Sequence, residues 1–314
     1  VSPRRPSISE RVRDHLLAAS QQLATALAAP APRLQGHAIA AEVIQALRTD
    51  GVYVTTVERL LGEAAPACRD AMADAQALVH RLKQGHGAHW RSAGASTDLA
   101  HGELLDRLPA LFMFGLHDTM LSVAEQYLRL PVAYHGAVLR HSMVDGRAVG
   151  PRRWHRDAED FHVLRTVLYL NDVDEDGGPF EYVPRTFLAE ATHAAGDGGM
   201  FSDDEFAARV PRHRWKRCTG PAGTVVIADS ARVFHHESLQ RGADRTVVTL
   251  GHSSRWPRRR QLAMLHFPVD QHATALSRLV AREHHPHVFG WRQLAVPPPD
   301  PTTSILMARD LLSR

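Results

Sequence analysis

Apolar positions recur at near-helical spacing through the first third of the chain and give way afterwards to short, β-branched runs, so the sequence divides into a helical part and a strand-rich part. Residues 9–27 carry Val12, Leu16, Leu17, Leu23, Ala24 and Leu27 close to a 3.6-residue period, and Pro30-Ala31-Pro32 stops the pattern. Residues 38–47 repeat it with Ile39, Val43, Ile44 and Leu47 on one face; Thr49-Asp50-Gly51 then turns the chain into Val52-Tyr53-Val54-Thr55-Thr56, which reads as a strand. Further helices are predicted over 65–83 and 111–128, the latter with Leu116, Met120, Val123, Ala124 and Tyr127 as its buried stripe. All these stripes are read as core packing. Residues 87–105, polar and containing His89 and His101, read as a long loop able to border a pocket, with His86 just before it. Past Pro131 the apolar runs 137–142, 162–170, 223–228 and 246–251 are short and punctuated by Gly, Pro and Asp, which favours a sandwich or jelly roll over a parallel sheet.

Composition narrows the function classes. The 314 residues are 44% hydrophobic and 23% charged, enough to bury one large core. Lys+Arg of 37 against Asp+Glu of 34 leaves +3, which does not predict a nucleic-acid partner, and the basic knot Arg258-Arg259-Arg260 reads as a solvated loop. No stretch approaches the ~18 uninterrupted apolar residues of a membrane span, and no apolar segment follows the basic start. Two cysteines, Cys68 and Cys218, form no CxxC pair and point to a reducing, cytoplasmic setting. No phosphate-binding glycine loop or GxSxG elbow occurs.

The densest chemistry lies in Trp154-His155-Arg156-Asp157, with Phe234-His235-His236 eighty positions on and Arg245 ten beyond His235. His155 and Asp157 are two apart, so on extended chain both side chains project to one side. A distant strand must supply a third ligand. Two imidazoles and a carboxylate form a borderline-nitrogen, hard-oxygen face that suits ferrous iron and leaves the opposite face open. The planar fork of Arg245, at the start of the run Thr246-Val247-Val248-Thr249-Leu250, suits the far carboxylate of an organic co-substrate. His236, the neighbour of His235, is the alternative distal ligand, and the residues alone leave both open.

These motifs, together with Leu168-Tyr169-Leu170-Asn171-Asp172-Val173, Gly178-Pro179-Phe180-Glu181-Tyr182-Val183-Pro184 and Ala228-Asp229-Ser230, resemble the phytanoyl-CoA dioxygenase family of Fe(II)- and 2-oxoglutarate-dependent oxygenases. The resemblance spans most of the chain, because Asp50-Gly51-Val52-Tyr53-Val54 and the helix after Leu111 also look like that family's N-terminal half. It implies a double-stranded β-helix (jelly roll) with a helical N-terminal shell. It also implies iron ligands His155, Asp157 and His235, Arg245 on the C5 carboxylate of 2-oxoglutarate, and O₂ as the further co-substrate. The departure from the family is His236-Glu237-Ser238, where a small or glycine-containing segment is usual. Because Asp157 is a carboxylate rather than the Gly or Ala of related halogenases, the resemblance implies hydroxylation or another oxidation rather than halogenation, with release of succinate and CO₂.

Tyr169 and Arg140, on predicted strands near the site, are candidate co-substrate or substrate contacts. The expected organisation is a single domain over 1–314: an N-terminal helical extension (1–36), a helical shell with a first strand (37–135), a jelly-roll core carrying the metal site (136–256) and a C-terminal helical or loop segment (257–314). Selectivity would reside in 85–105, 186–214 and the region after Arg255, whose His and Arg content suits a polar or anionic small molecule. The acidic stretch 172–178 reads as a hairpin turn, and Glu283-His284-His285-Pro286-His287 as a surface loop. Trp256, Phe289 and Trp291 read as packing rather than a lid. Two rival functions use the same residues: a metabolite-binding jelly roll without turnover, and a zinc hydrolase with Glu237 as general base.

Overall fold

The computed structural model describes residues 8–27, 38–84, 90–93, 96–195, 199–267 and 269–292. His86, His89, the Pro30-Ala31-Pro32 stop and the stretch 293–314 lie outside them. The architecture is mixed α/β. The helices are α1 (Ile8–Leu27), α2 (Ala38–Thr49), α3 (Val57–Leu61), α4 (Ala65–Lys83), α5 (His101–Arg107), α6 (Pro109–Phe114), α7 (Asp118–Leu128), α8 (Leu188–Ala195), α9 (Asp203–Ala207), α10 (Arg260–Leu265) and α11 (Val269–Leu279). The strands are β1 (Val52–Thr56), β2 (Trp90–Ala93), β3 (Ser96–Leu99), β4 (Val132–Ser142), β5 (Leu164–Tyr169), β6 (Phe180–Tyr182), β7 (Lys216–Cys218), β8 (Thr224–Asp229), β9 (His235–Glu237) and β10 (Arg245–Ser254).

Seven strands form an antiparallel sheet ordered β1-β8-β5-β10-β4-β3-β2, and three form a second sheet ordered β7-β6-β9. The two-residue period of the strands divides the large sheet's side chains between two cores. Leu139, Leu164, Leu168, Val225, Ile227, Val248 and Leu250 face the helices and pack with Val43, Leu47, Met72, Phe112 and Met120. Val167, Tyr169, Val226, Ala228 and Val247 face the small sheet and meet Phe180, Tyr182 and Cys218. Both faces are covered, which is why β5 and β8 are buried along their whole length. Entry to β1 depends on the Asp50-Gly51 turn. Gly51 has φ +89°, and a Cβ there would fall 2.4 Å from Val233 Cγ1.

Three expectations are corrected. Within the expected loop 87–105, the described residues instead form two antiparallel strands, β2 and β3, with β3 paired to β4, and α5 follows. Polar composition concealed this strand because Asp98 is held by a tertiary partner, Arg140. The predicted helix 111–128 is two helices, broken where Gly115 lies against the Tyr134 ring and leaves no room for a Cβ. The stripe of α1 is not core, since Val12, Leu16 and Leu23 are exposed. α1 is tied down instead by polar contacts: Gln21 Nε2 donates to Asp160 Oδ1, Ser254 Oγ and the Trp256 carbonyl, and Arg258 pairs with Asp14.

Candidate metal centre

The site is built where the segment after Arg153 runs beside β9. His155 and His235 form a reciprocal backbone bridge, each N–H donating to the other's carbonyl at 2.9 Å, so their rings stand 4.4 Å apart. The Asp157 N–H donates to the Ser230 carbonyl at 3.0 Å and fixes the carboxylate two positions along. One ligand atom from each of His155, Asp157 and His235 then lies within 4.8 Å of the other two, and among the described residues this is the group that could hold a metal ion. Asp157 Oδ1 is 3.6 Å from His155 Nε2 and 3.9 Å from His235 Nε2.

The surroundings orient each donor. His155 Nδ1 donates to the Arg153 carbonyl at 2.7 Å and His235 Nδ1 to the Val233 carbonyl at 3.2 Å, which leaves both Nε2 lone pairs directed to the common point. Asp157 Oδ2 accepts from Arg165 Nε and Nη2 at 3.1 and 2.8 Å and from Ser230 Oγ at 2.7 Å. Only Oδ1 remains to face the imidazoles. Arg165 Nη2 also bonds Glu159 Oε1 at 2.8 Å, and that oxygen is 2.8 Å from His266 Nε2. Burial opposes charge on Asp157, yet the Arg165 guanidinium and the two imidazoles hold its carboxyl well below the usual carboxylate range. Burial, with repulsion from His155, pushes the His235 imidazole down to about 3. At His155 burial acts the same way but is outweighed by Asp157 and the Arg153 carbonyl, and the pKa is raised. The ionised Asp157 carboxylate thus favours a proton on His155, where a divalent cation would compete with it. The donor set of two ring nitrogens and one oriented carboxylate oxygen fits Fe(II).

The choice between neighbouring histidines is made by β9. His236 points the other way, stacks on Trp154 at 4.1 Å and lies 2.9 Å from Glu181 Oε2, outside the ligand cluster. Arg245 opens β10 and is buried. Its Nη2 pairs with Glu237 Oε1, its Nη1 donates to the Gly178 carbonyl, and Ser142 Oγ donates to Glu237 Oε1 at 2.9 Å. Glu237, engaged by a guanidinium and a hydroxyl, is poorly placed as the general base of a hydrolase. Arg140 and Tyr169 flank Val247 of β10 in register. Arg140 is bidentate to Asp98 at 2.7 and 2.9 Å. The Tyr169 hydroxyl donates to the Cys218 carbonyl at 2.8 Å and accepts from Phe180 N–H at 2.9 Å, both within the fold. Sequence reasoning missed Arg165, Ser230, Glu159 and His266. The available signal was a lone arginine inside the apolar run 162–170, a position that a buried strand tolerates only with a carboxylate partner.

No family model matches the chain, and no curated protein matches it. Among solved structures it is similar to HygX from Streptomyces hygroscopicus with nickel and 2-oxoglutarate bound, at 13% identity over 68% of this chain and 86% of that one, with a TM-score of 0.46. It is likewise similar to the non-heme alpha ketoglutarate dependent carbocyclase SnoK from nogalamycin biosynthesis (18% identity, 69% and 84% covered, TM-score 0.45). A third similar structure is EctD from S. alaskensis with 2-oxoglutarate and 5-hydroxyectoine (17% identity, 73% and 80% covered, TM-score 0.49).

Proposed function

We propose that this chain is an Fe(II)- and 2-oxoglutarate-dependent dioxygenase of the phytanoyl-CoA dioxygenase kind, hydroxylating a polar small molecule with release of succinate and CO₂. The observation that carries this reading is the convergence of His155, Asp157 and His235 with one donor atom from each left free. His155 and His235 would hold the ion through Nε2 and Asp157 through Oδ1, while Arg165 and Ser230 keep Oδ2 engaged. When bound, Fe(II) with the 2-oxo acid and O₂ supplies the oxidising power that replaces a substrate C–H by C–OH. Arg245 is assigned the far carboxylate of 2-oxoglutarate, with Tyr169 and Arg140 shaping that end of the pocket.

The finer architecture we propose is a double-stranded β-helix, with β4, β10, β5 and β8 as one half and β7, β6, β9 and the bridged segment at His155 as the other. It would form a single cytoplasmic domain over 1–314 whose helical shell covers the outer face. The order of the strands supports this, since the small sheet continues through β9 into the His155 bridge.

The test is spectroscopic and then chemical. Under anaerobic conditions Fe(II) and 2-oxoglutarate should together produce a weak visible metal-to-ligand absorption band, absent from Asp157→Ala and His235→Ala. With O₂, screening of small metabolites should find one that raises succinate release above the uncoupled background. Wild-type turnover in either variant would falsify the assignment.

A further inference from the structure

Resting on the reading above, we propose that Glu237 is a resident competitor for Arg245, so that a dicarboxylic 2-oxo acid gains its far-carboxylate anchor only by displacing it. The two-residue period of β9 puts Glu237 on the same side of the strand as His235, the side of the ligand cluster. Its carboxylate is buried and lies on the guanidinium of Arg245. Ser142, the cross-strand partner of Arg245 in the β4–β10 register, donates to the same Oε1 at 2.9 Å. The pair is therefore held from both strands that frame it.

The neighbouring cations offer no substitute. Arg140 is bidentate to Asp98, and Arg152 is paired with Asp145. An incoming carboxylate meets a neutral pair rather than an open guanidinium. It must exchange itself for Glu237 on Arg245, and the Coulombic return of that exchange is small because one carboxylate replaces another. A 2-oxo acid with an uncharged tail makes no such exchange. Glu237 thus sets how strongly the site prefers a far carboxylate, and its removal raises that preference.

The experiment titrates 2-oxoglutarate and 2-oxovalerate into anaerobic Fe(II)-loaded protein and follows the metal-to-ligand band, for wild type and Glu237→Gln. Glu237→Gln should bind 2-oxoglutarate about tenfold tighter, the worth of one charge-assisted hydrogen bond. 2-Oxovalerate, without the far carboxylate, should change by less than about twofold. Unchanged or weaker 2-oxoglutarate binding overturns the proposal, and so does equal tightening of both acids, which would make Glu237 a simple obstruction. If Glu237→Gln does not fold, Ser142→Ala loosens the same carboxylate and should tighten 2-oxoglutarate selectively, by about threefold; no change there also overturns it. A protein that binds Fe(II) but shows no band with either acid overturns the parent reading instead, and this inference falls with it.

Discussion

A carboxylate left to itself can rotate either oxygen, or both, towards an ion, and Asp157 offers two. The bonds from Arg165 and Ser230 to Oδ2 remove that freedom, and Arg165 is in turn fixed by Glu159. Burial would lower the Arg165 pKa, but Asp157 and Glu159 outweigh it and raise it. The residue is a permanent positive strut behind Asp157. Replacing it by the neutral, shorter side chain of Arg165→Gln should weaken Fe(II) binding by about 10- to 100-fold, the usual effect of losing an outer partner of a ligand. Anaerobic Fe(II) titration reads this directly, and an affinity equal to wild type would remove the role.

Among the elements, the β4–β10 pair carries Arg140, Ser142 and Arg245 in one ladder. Its register shifts between Gly251 and His252, opposite Gly136. Gly136 adopts φ +110°, and a Cβ there would fall 2.4 Å from Phe267 Cβ. Gly136→Ala therefore forces both a strained backbone and a clash with the segment before α11, at a cost of about 2–4 kcal/mol. Urea unfolding should show the midpoint falling by the corresponding amount. An unaffected midpoint would mean that the irregularity carries no constraint.

At the scale of the whole molecule, several histidines are buried in a form that resists protonation. His252 donates from Nε2 to the Gly115 carbonyl at 2.8 Å, and burial lowers it to about 4 from 6.5. His135 is lowered well below its ordinary value by burial, with His266 and Arg165 adding repulsion. Below pH 6.5 the unfolded chain takes up protons that the folded chain refuses. The stabilisation is therefore complete above 6.5 and is lost as pH falls towards about 4 at His252. Each such group contributes a slope of about 1.4 kcal/mol per pH unit. Unfolding free energies measured across this window should decline with acid, and His252→Gln should flatten the decline by about one proton. An identical slope in the variant would exclude His252 as a source.

What the order of residues determined by itself is the part of the protein whose physics is local. The two-residue spacing of His155 and Asp157, the strand period of 246–251, and the turn at Asp50-Gly51 follow from backbone geometry that neighbours in sequence share. The amphipathic helices α2 and α4 were legible for the same reason, whereas α1 carries a similar stripe and yet exposes it, because periodicity states that a face is apolar and not what covers it. Only tertiary structure decided the rest. It selected His235 over His236 by the bridge to His155, freed one oxygen of Asp157 by bringing Arg165 and Ser230 behind it, and seated Glu237 on Arg245. Each depends on which strand lies beside which, and a buried charge takes its role from the partner that folding brings to it.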